Sequence, residues 1–378
     1  MSETSHPLLP AAVPLLRDGR DAVQVGGVDS SDGVLLGPDG ARLAALLRTL
    51  DGRRARRAVL ADAAAQGLDP ASIARVLDGL RSAELLVDLD PADLLAADAG
   101  PAAAARTGAE LHSALGRVPG AWRARRSAVV VVEGATRVGV PLAAVLAASG
   151  VGRVSVADSG LTAAADAVVG GLSADDEGRP RSLAAADAVR RASPLTDLRP
   201  PPPGAAADLV VLARPWAASD PLVAGIHRAG VPHLVATVRG ETGVVGPFVV
   251  PGRTSCLRCA DLHRRDADPR WPRLAAQLTA TEAPPSGATV TCLMTAAIAA
   301  LQVLAFLDGS SAPSTLDATV ELAPPHLLPR ARSWLAHRGC DCGAAARTDR
   351  PTWTATRPGD ATAPPAGADE ARQGTMGG

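Results

Sequence analysis

The chain has 378 residues, 38 basic and 39 acidic, giving a net charge of −1 with 47% hydrophobic and 20% charged residues. That length sets an expectation of two or three domains, and the balanced charge offers no global field to nucleic acid or anionic lipid. Lys, Asn and Tyr are absent throughout, which excludes a Schiff-base lysine, a Walker-A lysine and a tyrosine acid or nucleophile.

The opening stretch, MSETSHPLLPAAVPLL, lacks the basic start and clean apolar core of a signal peptide, so a cytoplasmic location is expected. Residues 1–95 read as one unit. Strand-like pieces at Ala22–Val25 and Val34–Leu36 sit between Asp/Gly turns, and helices follow over Ala41–Leu50, Ala55–Ala65 and Pro70–Ala83. Asp69 is placed to cap the third helix with Pro70 at its first position. Ile73, Val76, Leu77 and Leu80 recur at i, i+3, i+4 and i+7, giving that helix one apolar face, and Leu85–Leu89 reads as a closing strand. Two strands, three helices and a strand suggest a winged helix. Its ten arginines against fourteen acids leave a local charge of −4, which disfavours DNA and leaves a peptide-recognition element or a helical cap without a ligand.

Residues 96–124 are Ala-rich and read as a linker. The α/β pattern starts at Ser127–Val132, a valine-rich strand, followed by EGATRVGVPLAAVLAASG and a second strand ending at Asp158. Strand, glycine turn, helix, strand, acid is the βαβ nucleotide-binding layout, in which helix amides face phosphate and the acid accepts a ribose hydroxyl. Only Gly134 and Gly139 stand where a GxGxxG fingerprint has three glycines, because Thr136 fills the middle position. The alternation continues through a helix at 176–194, entered by Arg179-Pro180-Arg181, a strand in DLVVLARP and a helix and strand at 221–238. A parallel sheet of at least four strands with helices on both faces is expected.

Thr289–Leu307 has nineteen uncharged residues, the minimum for a membrane span, but its Ala/Thr content and Gln302 favour a buried core helix, so no membrane partner is expected. Five cysteines without a secretion signal point to metal before disulfides. Cys256 and Cys259 form CLRC and Cys340 and Cys342 form CDC, two close thiolate pairs suited to a closed structural zinc site. Cys292 stands outside these two motifs and its apolar neighbours favour a buried, inert thiol. Residues 344–378 carry no hydrophobic period and read as a disordered tail.

Taken together, the valine-rich strand with its glycine turn, the acid-ended second strand, the Arg-Pro-Arg helix and the two cysteine pairs resemble the E1-like superfamily of ThiF, MoeB and ubiquitin-activating enzymes, over about residues 125–343. With the winged unit attached, and with the phrases VVGPFVVPGRTSCLRCADLHRRDADPRWPRLAAQL and WLAHRGCDCG, the chain looks like the leader-peptide-binding partner proteins of azoline-forming cyclodehydratases (thiazole/oxazole-modified microcins), in their actinobacterial branch. The resemblance implies an α/β fold in which an N-terminal winged-helix peptide-recognition element precedes a Rossmann-like E1/ThiF core with a zinc site.

It also implies a cytoplasmic scaffold that binds a precursor peptide's leader and presents it to a separate YcaO-type cyclodehydratase, and a homodimer. Peptide contacts are expected at Arg75, Leu80, Leu85 and Val87. Active relatives adenylate a carboxylate using a glycine-rich turn, a ribose acid, an Asn/Arg/Gln trio, a phosphate-contacting basic residue and an Asp for magnesium. Here Gly134, Gly139, Asp158, Arg179 and Arg181 match parts of that site. The chain has no Asn, and Arg214-Pro215 stands where the magnesium Asp belongs. The mismatch implies a pseudo-enzyme and puts ATP and Mg2+ in doubt, and leaves Arg137, Arg179, Arg181 and Arg214 as either an anion-binding set or a solvated surface. The alternative is a working adenylyltransferase acting on a peptide C-terminus.

Overall fold

The computed structural model describes residues 5–10, 12–18, 21–27, 33–90, 92–93, 110, 120–202, 204–216, 220–280 and 287–346. Most of the expected 96–124 linker and of the 344–378 tail lies outside them. The N-terminal part contains β1 (Pro7–Leu8), β2 (Leu15–Asp18), β3 (Ala22–Val25), β4 (Val34–Leu36), α1 (Gly40–Leu47), α2 (Arg56–Ala65), α3 (Pro70–Ser82) and β5 (Val87–Asp88). Strands β2, β3 and β4 form an antiparallel sheet, while β1 pairs antiparallel with β5. Asp69 caps α3 by accepting from the Ser72 amide at 2.9 Å. The apolar face of α3 (Ile73, Leu77, Leu80) closes on Val23, Val25, Leu43 and Leu47, so the periodicity read from the sequence becomes the centre of this core.

The larger part is mixed α/β, with a sheet that is parallel through four of its seven strands. Its elements are α4 (Ala121–Ser127), β6 (Val129–Glu133), α5 (Gly139–Ala148), β7 (Arg153–Ala157), α6 (Arg181–Ala192), β8 (Leu209–Leu212), α7 (Pro221–Arg228), β9 (His233–Arg239), β10 (Thr242–Val249), α8 (Leu257–Ala267), α9 (Trp271–Ala280), α10 (Thr289–Asp308), β11 (Ala318–Leu322) and β12 (Pro329–Ser333). The strand order is β12-β11-β10-β9-β8-β6-β7. Neighbours from β7 to β9 run parallel, joined by helical crossovers, whereas β9 to β12 run antiparallel. The direction changes at Gly240-Glu241, a two-residue hairpin loop between the paired residues Arg239 and Thr242.

Helices α5 and α10 bury their small side chains on one face of the sheet, with Val130, Val132, Leu209 and Leu234 beneath them. Helix α10 is long and apolar enough to cross a membrane by length and composition. Here it lays Cys292, Thr295, Ala296, Ala299, Ala300 and Val303 against the protein interior, and leaves Val290 and Leu301 exposed. A buried ion pair fixes its end: Arg125 of α4 donates to Asp308 through Nε at 2.5 Å and Nη2 at 2.6 Å, and through Nη1 to the Ser149 carbonyl at 3.0 Å.

His233 at the start of β9 is 1% exposed, with Nδ1 bonded to the Val231 carbonyl and Nε2 without a partner. Burial pulls its pKa down to about 4. The unfolded chain, with a histidine near 6.5, therefore binds the extra proton between the two values, and stability is lost as pH falls from 6.5 to 4. The expected loss is about 3 kcal/mol. Urea unfolding of wild type and His233→Phe at pH 7.5 and pH 4.5 checks it: the variant should lose less stability than wild type over this interval, and equal losses would refute the assignment.

Candidate functional site

Two constellations stand out, both prepared by local sequence. The first is a set of four sulfurs. Cys256 occupies the N-cap position of α8 and Cys259 its first turn, while Cys340 and Cys342 follow β12 on a segment without regular structure. The sulfur separations are 3.8 Å (256 to 259), 3.6 Å (256 to 340) and 3.6 Å (259 to 342), and all four lie within 4.8 Å of one another. A tetrahedron with zinc–sulfur bonds of about 2.3 Å has edges of about 3.8 Å, so the donor set fits a closed four-thiolate zinc site and leaves no open position for a reacting water. Burial pushes the Cys340 thiol up to about 11, so a cation entering here must displace protons.

The neighbouring histidines are engaged elsewhere. His263 Nε2 donates to the Leu335 carbonyl at 2.9 Å and His337 Nε2 to Asp266 at 2.8 Å. Cys292 is fully buried, and burial raises its thiol pKa, which makes it a poor nucleophile.

The second constellation is a cleft of about 280 Å³ beside the C-terminal ends of β6, β8 and β9, the crevice in which open α/β sheets take ligands. The glycine turn forms one side. Gly134 has φ 116°, and a Cβ there would stand 3.0 Å from the Arg214 Cβ; a Cβ on Gly139 would overlap the Gly134 carbonyl oxygen. Both glycines thus serve the close approach of strand, turn and helix.

The polar groups of this turn are largely satisfied within the chain. Thr136 Oγ1 donates to the Ala213 carbonyl at 2.7 Å and accepts from the Gly139 amide at 3.1 Å, taking up a donor at the α5 N-terminus. Asp158 accepts from the amides of Ala135 (2.9 Å) and Gly160 (2.8 Å). Arg181 pairs with Asp166 at 3.0 Å and stands 4.0 Å from Asp158; Arg179 pairs with Asp176 and Asp187. Arg214 reaches Asp220 at 3.0 Å, and Arg137 donates to the Gly287 carbonyl and the Thr289 hydroxyl. Burial raises the pKa of Glu133 at the end of β6, against the attraction of Arg214.

The structure therefore brings Gly134, Gly139, Asp158 and Arg181 together, and turns Arg179 to α6. The cleft itself is lined by Arg137, Arg181, Arg239 and Arg264 against Asp166 and Asp261, a surplus of two positive charges, with Trp216 and Trp271 beside them. Arg239 was within reach of sequence reasoning, since it ends a parallel strand. Arg264 and Trp271 carry no local signal, because their placement depends on how α8 and α9 fold back over the sheet.

The four expected peptide contacts do not share one exposed surface. Leu80 is wholly buried in the N-terminal core and cannot meet a ligand, which corrects that expectation: the helical period that singled it out marks the core face. Arg75 is exposed and donates to Ser72 Oγ, and Leu85 and Val87 are half-buried. Val87 pairs with Leu8, a partner strand the sequence did not reveal.

A model of the ThiF family matches residues 113–344. No curated protein matches. Among solved structures, E. coli MccB with MccA-N7isoASN is similar at TM-score 0.60 and 16% identity, covering 89% of this chain and 99% of that one. E. coli MccB with ATP gives 0.61 at 16% identity with the same coverages. SeMet PaaA gives 0.54 at 15% identity, covering 70% of this chain and 92% of that one. At these identities the likeness is one of fold.

Proposed function

The chain belongs to the ThiF family, and from that membership we propose that it is a precursor-peptide-binding scaffold whose E1-like core no longer adenylates. The observation that carries the reading is the occupied glycine turn. Thr136 supplies the helix N-terminus with its own acceptor, and Arg214 lies against Gly134 where a magnesium-binding carboxylate would be needed. Phosphoryl and adenylyl chemistry depends on a metal and on preorganised donors, so a turn whose helix amide is taken by Thr136, beside an arginine paired with Asp220 where the resemblance calls for a magnesium-binding Asp, offers little of either.

Peptide binding is supported by the N-terminal unit preceding the core and by the shared fold along most of MccB, a protein solved with MccA. That unit, residues 1–95, is read as a winged-helix recognition element. An extended leader would add a strand at the edge of β5 away from β1, near Leu85 and Val87, with Arg75 available to an acidic side chain. The core, residues 125–343, would hold zinc at Cys256, Cys259, Cys340 and Cys342 and act as a cytoplasmic homodimer beside a YcaO-type cyclodehydratase.

Fluorescence anisotropy with labelled leader peptides tests this. Full-length protein should bind the cognate leader, and Asp88→Pro, which removes the backbone donor on the side of β5 turned away from β1, should weaken it at least tenfold. Equal affinity for both would sink the proposed edge, and absence of leader binding would sink the scaffold. The second reading, an active adenylyltransferase, draws on the retention of Gly134, Gly139 and Asp158 and on the fold shared with a protein solved with ATP. That likeness gives the doubt about ATP no support; the doubt stands on this chain's own residues.

A further inference from the structure

One wall of the cleft hangs from the same helix as two of the cysteines. Cys256 and Cys259 open α8, and Asp261 and Arg264 follow on its next turn, three residues apart and therefore on one face. Asp261 accepts from Arg264 at 3.2 Å and from the Trp271 indole N–H at 3.1 Å, which joins α8 to α9 at the cleft. The Arg264 guanidinium lies 5.1 Å from the ring centre of Trp271 and 4.4 Å from that of Trp334. Burial, with Arg239 and Arg332 nearby, holds its pKa down to about 10, and the groups in contact with it are Asp261 and the two rings.

Trp334 belongs to the other side of the metal centre. It is buried, its backbone N–H donates to the Asp317 carbonyl at 2.6 Å, and its indole donates to Thr319 of β11 at 3.1 Å. It is thus fixed to the sheet, and the irregular segment after it carries Cys340 and Cys342. The ring on one side of Arg264 moves with the sheet and the ring on the other moves with α9. The sulfur tetrahedron is one link between them, beside the His263 bond to the Leu335 carbonyl, the Ser255 amide bond to Asp317 and the His337–Asp266 and Arg258–Asp341 pairs.

We infer that the four-cysteine centre controls the shape of the cleft, with Arg264 as the positioning residue that carries metal loading from α8 to the wall formed by Asp261 and Trp271. The inference rests on the cleft being the ligand site of the proposed function, but not on which ligand enters it. Metal loss would then release α8 from the 340–342 segment, loosen the stack and move that wall, leaving the glycine turn and its side of the cleft in place.

Fluorine NMR of the full chain labelled with 5-fluorotryptophan tests this without peptide or nucleotide, so its failure is separable from failure of the scaffold reading. Trp122, buried against Gly150 in the main core, reports whether that core stays folded. The Trp271 resonance is assigned by Trp271→Phe. Adding zinc to metal-free protein should move the Trp271 resonance and leave Trp122 in place. In Trp334→Leu, which removes the ring on the far side of Arg264, most of the zinc-dependent movement should vanish while one zinc per chain is retained. A Trp271 resonance indifferent to zinc, or one that moves as far in Trp334→Leu as in wild type, overturns the inference. If metal removal also disperses the Trp122 signal, zinc-loaded Trp334→Leu decides: a Trp271 resonance displaced from the wild-type position supports the coupling, and one at that position overturns it.

Discussion

Cys259→Ser in the full chain is expected to abolish stoichiometric zinc and to lower the melting temperature by on the order of 10 °C or more. Cys259 is completely buried between Cys256 and Cys342, at 3.8 and 3.6 Å, so a serine there places a weak ligand in a sulfur tetrahedron. Structural zinc contributes an apparent 10–16 kcal/mol in peptides that fold around it, roughly an upper bound here because the sheet and α10 bury a core of their own. Even about 4 kcal/mol corresponds to about 8–16 °C at roughly 2–4 °C per kcal/mol for a domain of this size. Metal analysis and calorimetry of purified protein check both numbers, with about one equivalent expected for wild type. Cys292→Ala is the matched control and should keep that equivalent, since Cys292 lies on α10 in the other core. Because the thiols must lose protons to bind, zinc affinity should fall as pH falls. A Cys259→Ser protein that melts with wild type would remove the metal from the account of the fold.

Asp308→Ala should cost about 3–5 kcal/mol, the second large effect. Arg125 and Asp308 are 6% and 5% exposed, and they meet through two short hydrogen bonds that join α4 to the last turn of α10. Truncating the aspartate leaves a guanidinium out of water with, among the described residues, the Ser149 carbonyl and, at 3.8 Å, Glu110 near it. Replacing both partners together, as Arg125→Met with Asp308→Leu, removes the charge instead of stranding it and should recover most of the loss. Urea unfolding of the two single variants and the double forms a cycle whose coupling term should be well above 1 kcal/mol. Additive losses would show that the pair does not act as a unit.

How far the sequence discloses this structure depends on the range of the interaction concerned. The valine run of β6, the N-cap at Asp69 and the period of α3 are local signals, and each appears where the residues place it. The cysteine pairs were legible because two close thiolate pairs at CxxC and CxC spacing suit one tetrahedral metal, and the four sulfurs do converge. The antiparallel half of the sheet was not, because β11 and β12 follow a long helix and are defined by pairing across it.

Leu80 shows the limit in the other direction. Its spacing identifies the buried face of α3 correctly, and taking the same residue as a ligand contact asked one side chain to face two ways. In the cleft, the altered glycine motif was visible as letters. That Thr136 would bond both the Ala213 carbonyl and the Gly139 amide required the fold. Arg264 and Trp271 were beyond sequence reading altogether, since they reach the cleft only through the folding back of α8 and α9.

Whether the ThiF core binds peptide without adenylating is decided by calorimetric titration of magnesium-ATP into zinc-loaded protein. No saturable heat is expected up to millimolar ATP, because Thr136 takes up the Gly139 amide at the α5 N-terminus and Arg214 stands where the resemblance calls for the magnesium Asp. Micromolar binding, followed by pyrophosphate exchange that Asp158→Ala abolishes, would contradict it and establish the adenylyltransferase.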